Sequence, residues 1–253
     1  MKKYLVAFVI ALLPMTAVAS GAGPKLDHVE IDLHNQASLQ RGMQTFVNNC
    51  LGCHSAQYQR YGRAAEDLGM PIKLVEQNLL LGDQKVGQQM TNTMPKQDAN
   101  KWFGNAPPDL TLEARLRGPD WIYTYLHSFY KDTERPWGVN NIIFPSVGMP
   151  NALEYLQGEQ TLHCTLDELH HETGKIDPLT GKEMGGCLTI SKKGQQSAEE
   201  FDRTVTDLVN FMAYIGEPSK LESHRIGTKV LIFLFLFFFV AYALKKEYWK
   251  DVH

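Results

Sequence analysis

Cys50-Leu51-Gly52-Cys53-His54 is the stretch from which the reading of this chain proceeds. Two thiols three positions apart on one helical turn can reach the two vinyl groups along one porphyrin edge, and the next residue then carries an imidazole to the iron. The pentapeptide is therefore read as the attachment site of one covalently bound haem c, with His54 as the proximal axial ligand. A bare C-x-x-C also serves thiol oxidoreductases and half-sites for zinc. The first need a strand before the motif, whereas here Leu39, Met43, Phe46 and Val47 recur at helical spacing and run directly into Cys50. The second need two further ligands, and the remaining cysteines, Cys164 and Cys187, are neither a C-x-x-C pair nor near Cys50.

Outward from the motif, helical patches alternate with long irregular stretches. A second helix is predicted from about Pro119 to Phe129, with Trp121, Ile122, Tyr125, Leu126 and Phe129 as its apolar face. A third starts after Ser197, where Ser197 and Glu200 form a capping box and Phe201, Val205, Leu208, Met212 and Ile215 follow at four, three, four and three; Glu217-Pro218 ends it. No strand–helix alternation and no internal repeat is visible. The expected fold is mainly α, a cytochrome c-type domain with long loops, followed by one C-terminal membrane helix.

The ends of the chain place that domain. Lys2 and Lys3, an apolar run from Tyr4 to Leu13 and Ala17-Val18-Ala19 read as a secretory signal peptide, residues 1–19. Residues 20–225 form the exported domain, 226–244 a membrane anchor and 245–253 a cytoplasmic tail. The apolar block Val230–Leu244 spans about 22 Å, or about 28 Å from Ile226 if Lys229 snorkels. Tyr242, Tyr248 and Trp249 suit an interface, and five phenylalanines between Phe233 and Phe239 argue against a core helix. Lysines flank the helix on both sides, so its orientation comes from the signal peptide: haem domain in the periplasm, C-terminus in the cytoplasm, one pass through the inner membrane.

The whole chain carries a formal charge of −3; removing residues 1–19 and 226–253 leaves 19 basic and 26 acidic residues, a domain charge of −7. That disfavours nucleic acid and favours a basic protein partner. A second axial ligand is sought among methionines, whose thioether raises the potential relative to a second histidine. Met43 and Met212 belong to helix stripes; Met94-Pro95 and Met149-Pro150 are the loop candidates, and physical reasoning does not choose between them. Cys164 and Cys187, an even pair in an oxidising compartment, are expected to form a disulfide that contributes roughly 3 kcal/mol. Metal binding with His163, His170 and His171 is the weaker alternative, for want of paired ligand spacing.

With these points placed, the chain resembles the cytochrome c1 family, the haem subunits of ubiquinol–cytochrome c reductase (cytochrome bc) complexes. The resemblance is carried by Cys50 to Ser55 with Tyr58 and Tyr61, by Asn105-Ala106-Pro107-Pro108-Asp109-Leu110 with Arg115 and Arg117, and by Phe144-Pro145-Ser146-Val147-Gly148-Met149-Pro150. Glu217-Pro218 and Arg225-Ile226-Gly227 complete it before the anchor. It implies Met149 as the second iron ligand, Pro107 and Pro108 as an apolar wall against the porphyrin, and Arg115 as a propionate partner, with no haem role for Arg117. It also implies single-electron relay from a Rieske iron–sulfur subunit to a soluble c-type cytochrome. The anchor would pack on cytochrome b in a dimeric complex, with no independent substrate-turnover site on this chain. Residues 151–196, with the cysteine pair, depart from the family pattern. A haem subunit of another respiratory complex, or a tethered thiol oxidoreductase, are the competing readings.

Overall fold

The computed structural model describes residues 26–164 and 187–250. The expected signal peptide and two histidines of the alternative metal reading, His170 and His171, lie outside the described residues.

Two long helices make the core. In α1 (Gln36–Asn49) the Asn35 side chain accepts from the Ser38 amide and satisfies one of the free N-terminal donors; the helix then buries Leu39, Met43, Phe46 and Val47. The helix Ala198–Gly216, which precedes the apolar C-terminal helix, starts at the Ser197/Glu200 capping box and buries Phe201, Val205, Leu208, Phe211, Met212 and Ile215. These stripes face each other, with the Phe46 and Phe211 rings 5.6 Å apart. Each fully buried side chain of this size contributes about 1.5–3 kcal/mol. Contact is close enough that a Cβ on Gly42 would run into the Asp207 carbonyl. Beside it Arg41 forks onto the buried Asp207 carboxylate through Nε at 2.6 Å and Nη2 at 3.1 Å.

Between these helices the chain runs through β1 (Ala56–Arg60), α2 (Tyr61–Asp67), α3 (Ile72–Asn78), β2 (Gln89–Met90), α4 (Lys96–Phe103), α5 (Glu113–Leu116) and α6 (Pro119–His127). Then come β3 (Phe129–Lys131), β4 (Val139–Asn141), α7 (Glu154–Gln157), β5 (Gly158–Leu162) and β6 (Leu188–Lys193). Ala198–Gly216 is α8 and Lys220–Tyr248 is α9. The six strands form three separate antiparallel pairs, β1–β2, β3–β4 and β5–β6.

One expectation is corrected. The helix predicted to reach Phe129 stops at His127: Ser128 donates its amide to the Tyr125 carbonyl and its hydroxyl to Thr124, and Phe129 pairs with Asn141 as the first residue of β3. Phe129 is still buried, but in a small satellite cluster with Val139 and Val147 rather than on the helix face. In the segment expected to depart from the family pattern, β5 and β6 pair from Gly158–Lys193 to Leu162–Leu188, and Cys164 and Cys187 are joined by a disulfide just beyond, as expected. The hairpin is docked on the domain, since the Gln160 amide reaches the carbonyls of His127 and Phe129, each at 2.8 Å, and Lys131 pairs with Glu159 at 2.9 Å.

Helix α9 continues unbroken past Leu244. Its stretch Ile226–Tyr248 has 23 residues, a mean hydropathy of 2.2 and none of its surface buried in the chain. At 1.5 Å per residue it spans about 34 Å, enough for a hydrocarbon layer of about 30 Å. Part of the segment expected as tail is thus the last turn of the helix.

Candidate functional site

Cys50 is the C-cap of α1, and the turn continues beyond it: the amides of Cys53 and His54 both donate to the Cys50 carbonyl, at 3.1 and 2.8 Å. That turn puts both thiols and the imidazole on one stub of helix, seated on the buried Leu51. Cys50 and Cys53 form no disulfide with each other. Burial pushes the Cys50 thiol up to about 12.

The His54 ring is fixed by the loop that the resemblance singled out. Nδ1 lies 2.8 Å from the Pro108 carbonyl. A carbonyl only accepts, so Nδ1 carries the hydrogen and Nε2 presents its lone pair, the arrangement a metal-ligating histidine requires. Burial pushes the imidazole down toward its neutral form, against the Pro108 hydrogen bond. The loop is tied in turn: Asp109 accepts from the Gln57 amide at 2.8 Å and the Thr111 amide at 3.0 Å, and the Leu110 amide donates to Ser55 at 2.8 Å. From the other side the Asn92 amide group donates to the Cys53 carbonyl, and the Asn92 backbone reaches the Ser55 hydroxyl at 3.1 Å.

The methionines separate by environment. Met43, Met90 and Met212 are core, and Met70 packs half-buried against it. Met94, half-buried in a loop, makes no side-chain hydrogen bond among the described residues. Met149 packs on Phe129, Val139 and Val147, and its Sδ accepts from the Tyr125 hydroxyl at 3.4 Å. Its loop is heavily braced. The Asn141 carboxamide, fully buried, accepts from the amides of Ile143 and Phe144 and donates to the Tyr125 carbonyl. Asn140 accepts from the Ser146 amide at 2.8 Å, and Arg135 donates to the Ser146 carbonyl at 2.9 Å. Gly148 lies so close to the end of α4 that a Cβ there would meet the Phe103 carbonyl at 2.9 Å. The chain from Phe103 to Leu110 therefore touches the Met149 loop at one end and holds His54 at the other.

Pro107 is half-buried, while Pro108 exposes its ring and commits its carbonyl to His54. Arg115 is exposed and its guanidinium makes no hydrogen bond or ion pair among the described residues. Arg117, given no role from the sequence, is bound to Glu113 at 2.9 Å and stacks over the Trp121 ring at 4.3 Å, with Phe144 at 5.9 Å. Trp121 stacks on Tyr125 in turn, so Arg117 stands on the Met149 side of α5. Sequence reasoning also missed Asn92, Asn140, Asn141 and the hydroxyl of Tyr125. The Asn140-Asn141 dipeptide was the available signal, because asparagine side chains habitually close turns on nearby amides.

The donor set fits a c-type haem: two unpaired cysteines on one turn, an imidazole with Nδ1 already engaged, and a thioether in a braced loop. Among the described residues no further group of His, Cys, Asp or Glu could hold a metal ion.

The model of the Cytochrome C1 family matches residues 28–160 and 188–252, stepping over the disulfide-closed segment. A cytochrome c1 from Allochromatium vinosum is 50% identical over 253 residues, covering 100% of both chains. A protein named ammonia monooxygenase gamma subunit, from Nitrosomonas europaea, is 43% identical over 244 residues, 96% of each. Among solved structures, a chain of a hyperthermophilic respiratory complex III aligns over 100% of this chain and 95% of its own at 13% identity and a TM-score of 0.41, too slight a likeness to carry weight. With a family match across both halves of the domain and the anchor, and a full-length relative at half identity, the chain belongs to the Cytochrome C1 family of electron-transfer haem proteins.

Proposed function

We propose that this chain is the haem relay of a cytochrome bc complex, taking one electron at a time from a Rieske iron–sulfur subunit and passing it to a soluble c-type cytochrome. One haem is held covalently by Cys50 and Cys53, with His54 and Met149 as axial ligands. The bound haem supplies a one-electron store; the chain supplies everything that holds it still. Pro108 fixes the tautomer of His54, while Asn140, Asn141 and Arg135 fix the approach of Met149. Ligands braced from outside keep their positions as one electron arrives and one leaves, so little reorganisation accompanies transfer. Pro107 and Pro108 wall the porphyrin edge without offering donors. A guanidinium neutralises a propionate: Arg115 is the expected partner and is free to serve, and Arg117 is the better oriented toward the Met149 side.

The haem domain lies in the periplasm, anchored in the inner membrane by α9 with the C-terminus in the cytoplasm. The anchor packs on cytochrome b in a dimeric complex, and quinol oxidation belongs to the partner subunits. One observation carries this reading: a single loop, Phe103 to Leu110, contacts both His54 and the segment bearing Met149. A reduced-minus-oxidised spectrum of the purified full chain tests it, with a c-type α-band expected at one haem per chain and a b-type cytochrome co-purifying. Absence of the band sinks the haem assignment. A spectrum indifferent to Met149→Ala but altered by Met94→Ala moves the second ligand to Met94.

A further inference from the structure

Among the described residues the hydroxyl of Tyr125 has one partner, the sulfur of Met149 at 3.4 Å, a normal length for a bond to a large, weak acceptor. The ring that carries it cannot swing away. Trp121 stacks on it with centroids 5.0 Å apart and planes 11° from parallel, and Phe129 meets it edge-on at 5.0 Å. Phe144 closes a third side at 6.5 Å, and Asn141 holds the residue's own carbonyl at 2.8 Å. In such a cage phenylalanine would pack as well. A half-buried tyrosine hydroxyl held in such a cage needs a partner, and among the described residues the one it finds is a thioether.

A thioether sulfur has two lone pairs. If one is given to iron, as the proposed His54/Met149 ligation on which this inference rests requires, the second remains for a hydrogen bond. We infer that Tyr125 is a positioning and tuning residue: in the haem-loaded protein its hydroxyl donates to the free lone pair of Met149 Sδ and raises the midpoint potential. The positive end of the O–H dipole draws density from the sulfur, making it a poorer donor to the more highly charged oxidised iron. It also sits within a few ångströms of the charge that reduction removes. Both effects favour the reduced state. The proton stays on the tyrosine oxygen, so the step remains one electron with no bond made or broken.

The test compares Tyr125→Phe with wild type in the full-length, membrane-anchored, haem-loaded protein. Tyr123→Phe serves as control, losing a hydroxyl from the same helix whose partner is Asp202. A hydrogen bond to a weak acceptor contributes about 0.5–1 kcal/mol, so Tyr125→Phe is expected to shift the reduced-to-oxidised ratio about threefold toward oxidised. That is about 28 mV at 59 mV per tenfold for one electron. The sulfur-to-iron charge-transfer band of the oxidised protein should persist but move, and Tyr123→Phe should change neither. An unmoved potential with the band intact overturns the inference. So does loss of the band in Tyr125→Phe, which would make the hydroxyl a strut without which the ligand leaves. If Met149→Ala keeps the wild-type band, it is the ligand assignment that fails.

Discussion

The Pro108 carbonyl accepts from His54 Nδ1 across 54 positions of sequence, so the loop that would wall the haem also sets the tautomer of its proximal ligand. The bond comes from backbone, which side-chain substitution at 108 leaves in place. What holds the carbonyl there is Asp109, anchored on Gln57 and Thr111. Asp109→Ala leaves the amide of the buried Thr111 without its partner and gives the exposed Gln57 amide to solvent, and is expected to cost about 1 kcal/mol, seen as a lower Tm. The protection of the His54 Nδ1 proton from exchange should fall with it, as read by NMR of the reduced protein. Pro108→Ala should have a smaller effect on both. Equal protection in Asp109→Ala and wild type would remove the loop's claim on the histidine.

Asn141 is the corresponding brace on the other side. Its carboxamide is completely buried and makes three hydrogen bonds, to Ile143, Phe144 and Tyr125. Asn141→Ala leaves the Tyr125 carbonyl and the loop amides of Ile143 and Phe144 without their partner, at about 1–3 kcal/mol. Because the loop carries Met149, the loss should be visible twice: a fall in Tm, and a charge-transfer band that weakens on mild warming where wild type holds it. Asn140→Ala, on the more exposed neighbour, should show the second effect with less of the first. A Tm for Asn141→Ala within error of wild type would contradict this account.

These two braces show where sequence reading reaches and where it stops. The attachment turn, the stripes Leu39 to Val47 and Phe201 to Ile215, the capping box and the anchor are local or periodic, and all are visible along the chain. Phe129 misled because its apolar spacing continued the helix, while pairing with Asn141 decided its conformation; tertiary contact overrides propensity at an element's end. The hairpin β5–β6 was not seen because its strands are joined by no short turn with a recognisable residue pair. His54 with Pro108, Gly148 with Phe103 and Tyr125 with Met149 join distant segments, and no local period encodes them.

His127 gives the domain an acid limit. Its ring packs against Tyr123 and the edge of Phe201, and Nδ1 is engaged by the Tyr123 carbonyl. Burial pushes it below its ordinary value of 6.5, against the opposing pulls of that hydrogen bond, Asp202 and Asp27. Below 6.5 the unfolded chain takes up a proton that the folded one refuses. Stability therefore rises with pH through this window, is complete above 6.5, and is lost as pH falls toward the folded-state value. His127→Gln, which keeps a side-chain polar group but does not titrate, should flatten the slope of Tm against pH in the acid range. An unchanged slope would assign the acid limit to other groups.

Arg115 and Arg117 invite a direct contest. Arg115 is exposed and uncommitted, whereas Arg117 is oriented by Glu113 and lies over Trp121, which stacks on the tyrosine that touches Met149. A guanidinium near the iron disfavours the extra positive charge of the oxidised state, so removing it should lower the midpoint potential; a solvated one should hardly register. If orientation decides, Arg117→Gln lowers the potential by several tens of millivolts, on the scale of 59 mV per tenfold, and Arg115→Gln leaves it within error. The reverse result returns the propionate to Arg115. Both side chains are solvent-exposed, so the effect of either on the potential should shrink as ionic strength rises.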